Sequence, residues 1–278
     1  MLLDIQNLCV TYRARGLPPV EAVRDVSFAL RAGESLGIVG ESGCGKTSLA
    51  RAVLGLLRPS AGSIRFGGRT IGEMDAAGFG AYRRAVQMIF QDAAGSLNPR
   101  LRVRQTLEEA LLVHRMRPRA RVAERVAELL ELVGLPENVL ESYPRELSGG
   151  QCQRVSFARC LALEPALIVA DEPVSALDVS VQARILNLIR TLQTQLNLAI
   201  ILITHDLAVV RNVCDRVAVM FEGRFVEHGP ACDLLEHPRH PYTRELIAAV
   251  PDVARELKKE NTRRPTPPKT ESAITHPQ

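Results

Sequence analysis

Lys46 and Thr47 close the segment Gly40-Glu41-Ser42-Gly43-Cys44-Gly45-Lys46-Thr47, which fits the spacing G-x-x-x-x-G-K-[ST]. Glycines at this spacing let backbone N–H groups turn inward and cradle phosphate oxygens, where a side chain would block the approach. Lys46 supplies a full positive charge, and the helix expected next, Ser48 to Leu57, adds about half a unit at its start. Thr47 supplies a hydroxyl for Mg²⁺. The chain has 31 Arg and 4 Lys, and Lys46 is its one lysine before Lys258. A compact ammonium kept in an arginine-rich chain marks a place where a planar guanidinium does not fit.

The apolar run Leu167-Ile168-Val169-Ala170 ends in Asp171-Glu172-Pro173. A carboxylate at a strand end, Asp171, can hold Mg²⁺ directly or through water. Glu172 beside it can accept a proton from an attacking water. A capping pair at a strand end is the plainer alternative, and the phosphate loop upstream argues against it. Three further residues follow buried-strand patterns or lie near one. Gln91 follows Val86-Gln87-Met88-Ile89-Phe90, His205 follows Ala199-Ile200-Ile201-Leu202-Ile203-Thr204, and Tyr12 sits in the first alternating segment. Leu147-Ser148-Gly149-Gly150-Gln151 comes shortly before the acidic strand and opens a helix expected over Gln151 to Leu163.

Elements of two periods must position these residues. Residues 1–30 alternate apolar and polar (Val26, Phe28, Leu30) and predict a small antiparallel sheet. Residues 34 to about 95, and again about 160 to 230, alternate strands with helices and predict a parallel-sheet core. Between them lies a helical insertion, about 96–158. Its clearest helix carries Val122, Val126, Leu129, Leu130 and Val133 on one face and ends at Gly134. The expected fold is therefore α/β: a phosphate-loop core with a parallel sheet, an N-terminal antiparallel β-subdomain and an inserted α-helical subdomain. One domain is expected over 1–252. From about Val253 the chain turns polar and reads as a disordered tail.

Phosphate loop, Gln91, LSGGQ, Asp171-Glu172, Ser175-Ala176-Leu177-Asp178 and His205, in that order, resemble the ATP-binding-cassette (ABC) ATPases over roughly residues 1–250. The resemblance implies that ATP lies on residues 40–48, Gly40 to Ser48, with Tyr12 stacked on adenine. It implies that Gln91 senses Mg²⁺ and the transport subunit, and that His205 contacts the γ-phosphate. It also implies a head-to-tail dimer. Ser148, Gly149, Gly150 and Gln151 would then touch ATP held by the other subunit. The start of the LSGGQ helix is an anion site with no anion in its own chain to bind.

Within that family, Gln91-Asp92-Ala93-Ala94-Gly95-Ser96-Leu97-Asn98-Pro99-Arg100, Asp171 through Gln182, and His240-Pro241-Tyr242-Thr243 resemble the peptide and nickel importer branch, second-ATPase type. The branch implies a second ATPase subunit of a different chain, two transmembrane permease subunits, an indirectly coupled substrate-binding protein, and a site at the cytoplasmic face of the inner membrane. Ala93 stands where the branch often has proline, and Cys152 where a basic residue is usual. His237 and His240 match the branch motif whatever the cargo, which outweighs reading them as nickel ligands.

Composition narrows the alternatives. No apolar stretch approaches the ~18 residues that cross a bilayer, and Met1-Leu2-Leu3-Asp4-Ile5-Gln6 does not read as a signal peptide. The net charge of +4 is spread along the chain and is no nucleic-acid footprint. Six cysteines without a C-x-x-C pair read as reduced thiols. A soluble cassette ATPase of DNA repair or translation would call for a second cassette, long coiled coils or a basic face. A catalytically dead regulatory subunit would lack Lys46, Glu172 or His205.

Overall fold

The computed structural model describes residues 1–14 and 16–249; the polar tail expected from Val253 lies outside them. β1 (Leu3–Tyr12) and β2 (Val20–Leu30) pair antiparallel, with Ile5 opposite Phe28 and Tyr12 opposite Val20. After β3 (Ser35–Val39) and α1 (Lys46–Val53), the chain returns to this first sheet as β4 (Ala61–Phe66) and β5 (Arg69–Thr70). The order is β2-β1-β4-β5. This corrects the expectation that everything from residue 34 to 95 builds the parallel core. β4 buries Ile64 opposite Ile5 but leaves Arg65 and Ala61 exposed. A strand wet on one face suits an antiparallel sheet, whereas parallel strands are covered on both.

α2 (Ala76–Ala85) leads into β6 (Val86–Ile89) and α3 (Ala93–Ser96). The helices α4 (Val103–Val113), α5 (Val122–Val133) and α6 (Gly149–Leu161) follow. The remainder alternates: β7 (Leu167–Asp171), α7 (Val179–Leu196), β8 (Ala199–Ile203), α8 (Leu207–Val213), β9 (Arg216–Phe221), β10 (Arg224–Pro230), α9 (Ala231–Glu236) and α10 (Pro241–Ala248). The second sheet has the order β10-β9-β3-β8-β7-β6. Its five strands from β9 to β6 are parallel, and β10 is an antiparallel edge.

Alternation within the parallel strands builds two cores. Leu167, Val169, Ile201 and Ile203 face the antiparallel sheet and α1. Ile168, Ala170, Ile200 and Leu202 face α6, α7 and the helical insertion. On α5 the residues buried are Val122, Val126, Leu129, Leu130 and Val133, the face the sequence marks out. Gly134 ends it in the left-handed region at φ +65, and Arg154 of α6 donates to the Val133 carbonyl at 2.6 Å. That cation neutralises the helix's negative end.

Helix bounds differ from expectation in two places. α1 starts at Lys46 and stops at Val53, because Gly55 takes φ +69 and the N–H groups of Leu56 and Leu57 turn back to the Arg51 carbonyl. Pro59 and Gly62, the ordinary helix-stop residues of this stretch, lie beyond that end. α6 starts at Gly149, two residues early, because Ser148 caps it. Among the described residues, no helix is long and apolar enough to cross a membrane, and all six cysteines are free thiols.

Candidate nucleotide site

The C-terminal ends of β3, β6, β7 and β8 converge on a cleft of about 410 Å³, where an open α/β sheet binds ligands. Its walls include Ser42, Gly43, Gly45, Lys46, Thr47 and Ser48 from the loop and α1, with Gln91, Asp171, Glu172 and His205 opposite. Four sequence segments spread over more than a hundred residues thus meet in one place.

The loop's shape depends on glycine at two positions. Gly45 has φ +112, and a Cβ there would lie 2.1 Å from the Ala22 carbonyl oxygen. At Gly40, φ +152, a Cβ would lie 2.2 Å from the Met220 carbonyl oxygen. Lys46 is buried, and its Nζ donates to the Gly40 and Glu41 carbonyls, each at 2.7 Å. Cys44 is buried with its Sγ 3.6 Å from that ammonium. The Tyr12 hydroxyl lies 3.1 Å from the Ser48 hydroxyl, so its half-exposed ring stands beside the start of α1.

Across the cleft, Thr47 Oγ1 donates to Asp171 Oδ2 at 3.3 Å. Burial pushes the Asp171 carboxyl above its ordinary range; the Thr47 hydrogen bond opposes that, and the Glu172 charge adds to it. Two hard oxygens side by side, open to phosphate oxygens and water, suit Mg²⁺. Among the described residues no cluster of three or more His, Cys, Asp or Glu could hold a metal by itself.

Glu172 is held from two sides. Its Oε1 lies 3.0 Å from His205 Nδ1, and its Oε2 accepts from Gln91 Nε2 at 3.1 Å. Its backbone takes φ +47, a left-handed conformation that costs a non-glycine residue about 1–3 kcal/mol. The Glu172 N–H still donates to the Ile203 carbonyl at 2.8 Å. The strand pairing therefore persists while the chain turns sharply and swings the carboxylate into the cleft.

Ser148 to Gln151 do not line this cleft. They start α6 as a capping box: Ser148 Oγ accepts from the Gln151 N–H at 3.3 Å, and Gln151 Oε1 accepts from the Ser148 N–H at 2.9 Å. Both partners are uncharged side chains of the helix's own start. The N–H groups of Gly149 and Gly150, in the first turn, have no intrahelical acceptor. Gly150 also has a packing reason, because a Cβ there would lie 2.5 Å from Val181 of α7. Cys152 turns inward and donates to the Pro144 carbonyl at 3.4 Å, so the residue after LSGGQ packs into the helical insertion. Ala93 is the first residue of α3, where proline is also at home. His240 Nδ1 accepts the Tyr242 N–H at 3.3 Å, which uses it as a cap.

Some of the site has no signal in the sequence. Ala22 of β2 lines the cleft and forces glycine at position 45, yet is an ordinary strand alanine. Gly223, in the β9–β10 turn, donates to the Cys44 carbonyl at 2.9 Å. Tyr242 belongs to a motif visible in the sequence, but nothing there indicates its contact with the loop.

Fold and cleft together define a phosphate-loop ATPase. The ABC transporter family profile matches residues 23–175, and a profile for the C-terminal region of oligopeptide/dipeptide transporters matches residues 226–275. The chain is 44% identical over 260 residues to the oligopeptide transport ATP-binding protein OppF of Haemophilus influenzae, covering 90% of this chain and 78% of that one. It is 48% identical over 256 residues to the glutathione import ATP-binding protein GsiA of Pectobacterium atrosepticum, covering 90% of this chain and 41% of that one. Among solved structures it is similar to a dimeric post-hydrolysis state of the ATP-binding cassette MJ0796 bound to ADP and Pi, with a TM-score of 0.74 at 27% identity over 83% of this chain and 99% of that one. The chain belongs to the ABC transporter family.

Proposed function

We propose that this chain is the ATP-hydrolysing subunit that energises a bacterial importer of peptides or of a related small solute such as nickel or a metal chelate. The observation that carries the mechanism is Glu172, fixed between Gln91 and His205 and facing the Lys46 loop across one cleft. Glu172 accepts a proton from water attacking the γ-phosphate. Lys46 and the loop N–H groups bind the phosphates, His205 contacts the γ-phosphate, and Tyr12 stacks on adenine. Thr47, Asp171 and Gln91 would hold Mg²⁺, which would supply charge neutralisation at the phosphates.

The cargo class rests on the C-terminal profile and on relatives named for oligopeptide and glutathione import. Partners follow from the same reading: two permease subunits, a substrate-binding protein acting through them, and a second ATPase chain. A groove suited to a permease helix runs beside Gln91. It is lined by Leu56, Met88, Phe90, Ala110, His114 and Leu163, with Leu56 54% and Phe90 45% exposed. That supports a working position at the cytoplasmic face of the inner membrane; among the described residues no helix is long and apolar enough to cross it. The test is purification from membranes of the native host through a tag on this chain. Permease and second-ATPase chains are expected to accompany it, with ATP hydrolysis by the assembly. Recovery of the chain with nucleic acid or ribosomal partners would overturn the reading.

A further inference from the structure

The phosphate loop is gripped from behind by the C-terminal part of the chain. Tyr242, at the second position of α10 and 8% exposed, accepts a hydrogen bond from the Glu41 N–H at 3.0 Å. The peptide group carrying that N–H is the one whose carbonyl, on Gly40, accepts from Lys46 Nζ. One peptide plane therefore has the Tyr242 hydroxyl on its N–H side and the Lys46 ammonium on its C=O side. Hydrogen bonds in series through a peptide polarise each other. Fixing the plane fixes where the carbonyl holds the ammonium.

Tyr242 is itself held. Its ring packs on Phe221 at the end of β9, with centroids 4.3 Å apart and planes at 39°. Its N–H donates to His240 Nδ1. The N–H groups of Arg239 and His240 donate to the two carboxylate oxygens of Glu227 on β10, at 2.8 and 3.0 Å. The turn between those two strands reaches the loop as well, through Gly223 to the Cys44 carbonyl. Loop residues 40, 41 and 44 thus take their positions from strands and a helix that contribute nothing to the walls of the cleft.

We propose that Tyr242 is a positioning residue for Lys46, so that the C-terminal segment sets the affinity of this chain for ATP. The inference rests on reading residues 40–48 as the ATP site. A ring without the hydroxyl keeps the Phe221 contact and the buried volume, and frees the peptide plane to rotate. Lys46 then meets the phosphates from a wider range of positions. Binding weakens, and the chemistry at Glu172, on the opposite wall, does not change.

The test is titration of the full-length chain with the fluorescent analogue mant-ATP, together with thermal melting, for wild type, Tyr242→Phe and Lys46→Ala. Tyr242→Phe is expected to raise Kd roughly three- to tenfold, the size of one buried hydrogen bond. Its melting temperature should fall by no more than about 4 °C, the size of that one lost hydrogen bond in a chain of this length. In the assembled transporter, KM for ATP should rise by the same factor with kcat within about twofold, the signature of lost uniform binding. Wild-type affinity in Tyr242→Phe, while Lys46→Ala loses binding, overturns the inference alone. So does a weakened Tyr242→Phe whose melting temperature falls well beyond that margin, since the residue would then be merely structural. Failure of Lys46→Ala to weaken binding overturns the site reading and the inference with it.

Discussion

The proposed reaction needs a base that is close and oriented, and Glu172 carries the burden at that scale. Two neighbours each occupy one of its oxygens, and a left-handed backbone aims it. Glu172→Gln keeps shape and hydrogen bonding but cannot take a proton. Hydrolysis should fall ~10²–10⁴-fold while ATP binding survives; near-normal turnover would remove Glu172 from the role. Asp171 gives a second prediction, with a definite sign. Burial raises its pKa in the folded chain, so the fold binds that proton more tightly than the unfolded chain does. Its contribution to stability is present at low pH and is lost as pH rises through the raised folded value. Near neutral pH, Asp171→Asn should therefore melt, without nucleotide, no lower than wild type. The difference should close toward about pH 4, where an unfolded aspartate takes up its proton. The same variant should lose the melting-temperature gain that Mg²⁺ and ATP give wild type. A variant less stable than wild type at neutral pH would show that the Thr47 bond outweighs burial.

Among the elements, α5 displays most clearly how far pattern reaches. Its apolar spacing names the buried face residue by residue, because helical periodicity over three turns leaves little choice. Leu129 is fully buried between α5 and the rest of the insertion. Leu129→Ala should cost about 2–5 kcal/mol in chemical denaturation. Glu124→Ala on the exposed side, which breaks the pair with Arg121, should leave the midpoint almost unmoved. An equal effect from both would mean that α5 does not pack as described. The strands leading to the site were legible for a different reason: β3, β7 and β8 are short apolar runs that end in polar chemistry. What pattern missed was pairing. β4 reads like any short strand, and its place beside β1 is decided by Ile64 meeting Ile5 with 58 residues between them. Likewise, α1 ends at Val53, short of the expected Leu57, because Gly55 takes the left-handed region. The contact between Tyr242 and Glu41 spans two hundred positions and has no local signature.

For the molecule as a whole, the cleft and LSGGQ stand apart: the residues that line the one include none of the other. Ser148 and Gln151 satisfy each other, which fixes the start of α6, while the first-turn N–H groups of Gly149 and Gly150 keep no partner within the helix. A helix start built so firmly, with Ser148 and Gly149 exposed, makes sense if a phosphate arrives from outside the chain. The similar cassette MJ0796 is dimeric in its ADP- and Pi-bound state, and the proposed unit here is two cassettes, the second a different chain. Composition could not reveal this, because a surface completed by a partner looks like any other surface in one sequence. The arrangement makes an asymmetric prediction. Ser148→Arg puts a long cation where the partner's γ-phosphate would sit, so hydrolysis at the partner's phosphate loop should fall at least about a hundredfold, as when a transition-state donor is removed. ATP binding to this chain's own Lys46 loop should stay within about twofold of wild type, because Ser148 lines no part of it. Nucleotide occupancy measured separately at the two sites of the assembled complex decides the matter. If Ser148→Arg empties the Lys46 loop of its own chain and spares the partner's, the two-chain sandwich is wrong and the site is complete within one subunit.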